Sequence, residues 1–121
     1  MANNIAFQAQ GKTYKANTTT TSQTIAVYAD SPCNQLLVAN HDPTGATGFP
    51  TYFNVSANAS VTCVAPGNGS AQYSLVSVPG QNKVFTIPGQ FTPGTPIYIA
   101  FITDSGATGA VQCYFTPGEG L

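Results

Sequence analysis

The sequence predicts an all-β protein, a single antiparallel β-sandwich. Three observations carry that expectation: helix signals are nearly absent, short β-rich runs recur between turn clusters, and Pro-Gly pairs punctuate the chain. The pairs are Pro66-Gly67, Pro79-Gly80, Pro88-Gly89, Pro93-Gly94 and Pro117-Gly118. Proline pre-sets the first central residue of a type II turn and glycine supplies the positive φ needed at the second. All but the last pair fall between expected strands and are read as chain reversals. A chain of 121 residues fits one domain, and a domain of that size buries roughly two-thirds of the surface its unfolded form exposes.

Strands are expected near residues 4–10, 12–16, 22–29, 34–40, 51–56, 60–65, 72–78, 82–87, 96–103 and 109–116. In the first, Ile5, Phe7 and Ala9 alternate with Asn4, Ala6, Gln8 and Gln10. In the third, Ile25, Val27 and Ala29 alternate with Thr24, Ala26 and Tyr28, after a polar connection at Thr18–Thr21. The fourth holds Leu36-Leu37-Val38-Ala39, and the fifth Tyr52-Phe53 with Val55. Val61, Cys63 and Ala65 alternate in the sixth; Val111, Cys113 and Phe115 do so in the last. The seventh and eighth are bounded by "VPGQN" and "IPGQF", one turn chemistry used twice. About ten short strands imply two packed sheets, with a jelly roll as the expected topology. An immunoglobulin-like sandwich is the second choice, weakened by the absence of tryptophan and of a Cys…Trp…Cys pattern.

The run Ile97-Tyr98-Ile99-Ala100-Phe101-Ile102 is apolar at odd and even positions alike. Successive side chains on a strand point to opposite faces, so both faces of this run avoid water. Ile97, Ile99 and Phe101 are expected in the core; Tyr98, Ala100 and Ile102 then need cover on the other side. That cover is either a loop of the same chain, such as residues 40–50, or another subunit. Leu36–Ala39 poses the same question.

Only 6% of residues are charged, against about 25% in ordinary soluble proteins. Three lysines, Lys12, Lys15 and Lys83, and no arginine do not supply the phosphate neutralisation that nucleic-acid binding needs. A near-neutral surface gives little mutual repulsion and permits association. Apolar runs of about six residues are far short of a membrane span. The opening MANNIAFQAQ has neither the basic nor the long apolar region of a secretory signal, which implies synthesis in the cytosol.

Catalytic and metal chemistry find little footing. His41-Asp42 is the one adjacent pair able to exchange protons, and it sits among turn formers. The cysteines Cys33, Cys63 and Cys113 are widely spaced, with a single histidine to accompany them, so no metal site is expected. Cys63 and Cys113 read as small core hydrophobes and Cys33, after a proline, as a turn residue open to solvent. Asp30, Asp42 and Asp104 stand alone, whereas calcium wants clustered oxygens. Neither catalytic residues nor a cofactor is assigned. A lectin-like module keeps some weight, because Tyr28, Tyr52, Tyr73, Tyr98 and Tyr114 occur amid many Asn and Gln.

Five stretches in order carry a resemblance. "IAFQAQGKTYKANTTTTSQTIAVYA", "CNQLLVAN", "VPGQNKVFTIP", "YIAFIT" and the ending "TPGEGL" resemble small decoration, or cement, proteins of tailed bacteriophage heads. The resemblance implies a β-sandwich that oligomerises on the capsid exterior and ties shell subunits together, without catalysis. The expected partners are the major capsid protein and further copies of the chain, as dimer or trimer; the expected location is the virion, after synthesis in the host cytoplasm. Residues 1–121 form the domain, with short extended arms at about 1–4 and 116–121. Candidate contacts are Asn3, Asn4 and Phe7 of the first arm, Pro117, Glu119 and Leu121 of the second, and Tyr98 and Ile102 for self-association. The alternative is a receptor- or glycan-binding head domain of a tail fibre or adhesin.

Overall fold

A computed structural model describes residues 7–41, 49–104 and 111–120. Among them the chain forms nine strands and no helix. These are β1 (Gln8–Ala9), β2 (Tyr14–Thr18), β3 (Gln23–Val27), β4 (Cys33–His41), β5 (Thr51–Ser56), β6 (Leu75–Ser77), β7 (Asn82–Phe91), β8 (Ile97–Thr103) and β9 (Val111–Glu119). They build two sheets. The first has the order β1-β9-β4-β7, with β2 following β1 along the same edge of β9; the second has the order β3-β8-β5-β6. Every pairing is antiparallel, and the two sheets pack face to face as a β-sandwich.

The pairing is nested. β5 pairs with β6, β4 with β7, β3 with β8 and β2 with β9, so the chain lies along itself as one long doubled ribbon. Curling that ribbon brings β9 beside β4 and β8 beside β5, which closes the two sheets.

Alternation fixes which side chains meet between the sheets. Leu36 and Val38 of β4, Cys113 and Phe115 of β9, Phe53 of β5, and Ile97, Ile99 and Phe101 of β8 all join one core cluster. Phe53 lies at its centre, edge-on to Phe85 at 5.1 Å and to Phe115 at 5.9 Å between ring centroids. Edge-to-face aromatic pairs contribute about 0.5–1.5 kcal/mol beyond the area they bury. Phe101 and Phe115 extend the stack across the two sheets at 6.0 Å.

One end of the interior is polar. Thr18 at the end of β2, Thr51 at the start of β5 and Thr103 at the end of β8 are all 1% exposed or less. The Thr18 hydroxyl donates to the Val111 carbonyl at 2.9 Å and shares hydrogen bonds with the hydroxyls of Thr51 and Thr103. Thr18 and Val111 belong to the first sheet, Thr51 and Thr103 to the second, so these bonds tie the layers together. Nearby, the Asn40 side-chain amide donates to the Ser77 carbonyl at 2.8 Å, again across the layers.

The sequence expectations are corrected at four places. Residues 60–65 form no strand: 57–74 run as an irregular strap between β5 and β6. The reversal there centres on Asn68-Gly69, with Gly69 at φ +80° and the Ser70 amide donating to the Gly67 carbonyl. Pro88-Gly89 reverses nothing. It lies inside β7, where Cys33 faces Phe91 but Gln35 already faces Thr86, and the surplus residues bulge out of the ladder. Proline lacks the N–H a ladder needs, and Gly89 at φ +96° takes the left-handed backbone of the bulge. Pro79-Gly80 does turn the chain as expected, with Gly80 at φ +77° and the Gln81 amide donating to the Val78 carbonyl. The expected arm at 116–121 is a strand as far as Glu119, paired with β4 on one side and β1 on the other. Cys33, expected in an open turn, is the first residue of β4 and only 2% exposed.

Replacing Thr18 by valine keeps the shape but strands the Val111 carbonyl and two hydroxyls in a dry interior. The expected cost is about 1–3 kcal/mol, read as a lowered urea midpoint with an unchanged m-value.

Candidate interaction surfaces

The outer faces of the two sheets differ, and β8 explains the difference. On the second sheet, Thr24, Ala100 and Asn54 form one outward row across β3, β8 and β5. The strap crosses this row: the Thr24 hydroxyl donates to the Val61 carbonyl at 3.1 Å, and the Asn54 amide to the Thr62 carbonyl at 3.4 Å. Cys63, 1% exposed, anchors the strap, its amide donating to the Ser22 hydroxyl. Beneath it Ala100 is fully buried. The outward side of β8 is thus covered at its middle by residues 61–63; of the loop at 40–50, residues 42–48 lie outside the described residues.

Tyr98 and Ile102 flank that cover and stay half-buried. Tyr98 faces Ala26 and Ser56. Ile102 faces Tyr52, which in turn faces Val76, and this makes an apolar row out to the β6 edge. The Tyr52 hydroxyl donates to the Asp104 carboxylate at 3.0 Å. Burial and that carboxylate both push the Tyr52 phenol upward.

The first sheet presents β4's second apolar face. Leu37 lies between Thr116 and Val84, and Ala39 between Tyr114 and Asn82. Leu37, Ala39, Val84 and Tyr114 are each partly open to solvent. Lys15, opposite Tyr114, brings a charge only to the margin of this face.

The two ends of the described chain meet at one corner of the same sheet. Gln8 pairs with Glu119 and Ala9 with Gly118. Gly118 is the seat for Phe7: a Cβ there would collide with the Phe7 ring and the Gln8 carbonyl. Phe7 and Glu119 thus lie at the same corner, Phe7 against Gly118 and Glu119 opposite Gln8, while Asn3, Asn4 and Leu121 lie outside the described residues. Pro117 is under 2% exposed, its ring turned inward against Gly11, so it is a plug and not a surface contact.

His41 is the exposed last residue of β4, opposite Gln112, and not a turn residue; Asp42 lies outside the described residues. Among the described residues no three His, Cys, Asp or Glu side chains gather as metal ligands would.

Sequence reasoning missed the strap cleft. Asn54, Ser60, Val61, Thr62, Gln72 and Tyr73 line an open hollow of about 370 Å³ between the strap and the outer side of β5. Tyr73 is 94% exposed, well beyond the other exposed large apolar residues, Tyr28, Val64, Leu75, Val76 and Val78. No charged residue occurs between Asp42 and Lys83. That silence over 40 positions was the one signal in the sequence that could have marked this surface.

No family model matches the chain, and searches of curated proteins and of solved structures return no match either.

The three thiols are free and buried. Burial pushes Cys63 up to about 11. It pushes Cys113 up to about 12, against the opposing pull of hydrogen bonds from Ser77 and the Tyr114 backbone. Cys33 is raised by burial and then by the charge of Glu119. A thiol raised on folding favours the folded state only while it stays protonated. Stability is therefore full below the unfolded thiol value of 9.0 and falls as pH climbs from there towards 11–12. Disulfide-exchange reagents at pH 8 are expected to leave all three thiols unlabelled in the native protein and to label all three after unfolding in urea. Denaturation curves should lose stability from pH 9 upward, less steeply in Cys113→Ala.

Proposed function

We propose that this chain is a non-enzymatic virion structural protein that decorates and stabilises the exterior of a tailed-bacteriophage capsid, acting as a homo-oligomer of two or three copies. The observation that carries the reading is the outer face of the first sheet. An antiparallel sheet facing water alternates apolar-in with polar-out. β4 breaks that rule at Leu37 and Ala39, and Val84 and Tyr114 extend the apolar surface across its neighbours. Such a face, short of charge, suits docking on another protein. The likeness of "TPGEGL" and the other quoted stretches to cement proteins supplies the setting: the partner is the major capsid protein, the site of action the virion, the site of synthesis the host cytoplasm. The nested ribbon of strands supports a jelly-roll winding, which belongs to the same reading.

The mechanism is multivalency. Each contact is modest; repeated around a shell, such contacts raise the cost of separating neighbours far beyond any one of them. Phe7 and Glu119, at a corner of the docking sheet, reach a neighbour from its margin. Tyr98 and Ile102 lie on the opposite face, where the row Ile102–Tyr52–Val76 is the patch available for contact between copies.

Heads of the encoding phage that lack the chain are the test. Purified protein is expected to sediment with them and to scatter light as an oligomer at tens of micromolar. Retention should hardly change between about 0.1 and about 1 M salt, where the screening length falls from about 10 to about 3 Å. Leu37→Lys combined with Val84→Lys should abolish retention while leaving the thermal midpoint close to that of the parent. A monomer that ignores the heads defeats the proposal.

A further inference from the structure

We propose that the strap cleft is a binding site for a neutral saccharide, with the Tyr73 ring as the stacking platform. The inference stands apart from the capsid reading and rests on the chemistry of the cleft.

A tyrosine that is 94% exposed packs against almost nothing of its own chain. Taking apolar ring surface out of water is favourable, so an occupant that lies on one face of the ring gains by covering it. The walls say what kind of occupant. Asn54, Ser60, Thr62 and Gln72 set amides and hydroxyls beside an aromatic surface and the apolar floor of Val61. The Asn54 amide and the Ser60 hydroxyl already donate within the chain, to the Thr62 carbonyl and the Asn58 side chain, so the Gln72 amide and the Tyr73 hydroxyl are the groups that an apolar side chain would leave unpaired and a pyranose would not. Its ring carries C–H bonds on one face, which suit the electron-rich face of the phenol, and a rim of hydroxyls that both donate and accept. Neither the Gln72 amide nor the Tyr73 hydroxyl makes a hydrogen bond to the described residues. Both are therefore available to a ligand.

Charge narrows the class further. The cleft is built entirely from the stretch between Asp42 and Lys83, which has no charged residue. A sialic acid, uronic acid or phosphate would give up hydration here with no cation to replace it. A neutral hexose gives up none of that. The volume of about 370 Å³ falls at the lower end of the range for small-molecule sites, which fits one sugar residue and part of a second.

One wall of the cleft, at residues 61–63, is also pre-shaped. The strap is pinned to β3 and β5 through Val61 and Thr62, and anchored by Cys63. Its tip is folded by the Ser70 hydroxyl, which accepts from the Gly67 amide at 2.8 Å. A pinned strap loses less freedom on binding than a loose loop. Finally, the cleft is on the outer side of the second sheet, across the sandwich from Leu37 and Val84. A copy docked through the first sheet presents Tyr73 to the surroundings.

The test uses the whole chain and saturation-transfer NMR with the methyl pyranosides of glucose, galactose, mannose and N-acetylglucosamine, with glucuronate and methyl phosphate as charged controls. At least one neutral pyranoside is expected to receive saturation and to shift the backbone amides of residues 60–64 and 71–74. Tyr73→Ala should weaken binding about tenfold or more and Gln72→Ala several-fold, whereas Tyr73→Phe keeps the stacking surface and most of the affinity. These side chains are at the surface, so an unchanged thermal midpoint separates lost binding from lost folding. Absence of transfer to every neutral sugar overturns the proposal. So does undiminished binding in Tyr73→Ala, or equal binding of the charged controls. Leu37→Lys with Val84→Lys should leave sugar binding intact, and Tyr73→Ala should leave sedimentation with phage heads intact, so either reading can fail without the other.

Discussion

Ile97, Ile99 and Phe101 of β8 point into the sandwich and Ala100 points out of it, yet each is 5% exposed or less. Keeping water from both sides of one strand is the constraint on which the architecture turns. The inner side is sealed by the aromatic stack of Phe53, Phe101 and Phe115. The outer side is sealed by the strap, and the strap stays down because Thr24 and Asn54, the neighbours of Ala100 on β3 and β5, hold its carbonyls. Alanine at this position matters: a larger side chain would lift the strap, and the cleft beside it would lose its wall. Packing within the sandwich and the shape of the surface thus have one origin.

Scarcity of charge shapes the interior as much as the surface. The layers are joined by threonine hydroxyls and an asparagine amide, groups that leave water at far lower cost than an ion pair does. Neutral hydrogen bonds carry little net energy when made and are costly when broken. The trio Thr18, Thr51 and Thr103 therefore serves registry more than strength: its hydrogen bonds are made only when the two sheets close in this alignment.

The two-sided strand, the turn at Pro79-Gly80 and most of the strands were legible, because each rests on a local pattern of period two or on a dipeptide with one steric reading. What was not legible depended on partners far along the chain. Pro88-Gly89 has the same chemistry in a turn and in a bulge; only the register of β7 against β4 separates them. Cys33 follows Ser31-Pro32 and reads as a turn, but pairing with Phe91 draws it into the core. Thr116–Glu119 offers too little hydrocarbon to predict burial, and its order comes from strands on both sides. The strap has no periodicity at all, so neither its course over Ala100 nor the nakedness of Tyr73 could be deduced before the topology was known. The docking face lay between these extremes: Leu36–Ala39 announced two apolar sides, but which one stays open followed only from the sheet order.

The nested order of the strands also bears on how such a chain finds its shape. Nearly every contact joins residues distant in sequence, and closing large loops is slow. Nesting shortens the search. Once β5 and β6 are paired, β4 and β7 are held near each other, and their union in turn presents β3 to β8. Past the 18-residue strap between β5 and β6, each further pairing adds connections of only four to nine residues on either side, an arrangement suited to zipping outward from the middle. In that order β2 and β9 would pair last. During synthesis the amino-terminal edge waits unpaired until the final strand emerges, and that waiting edge carries Lys12 and Lys15, charges that discourage premature pairing with another chain.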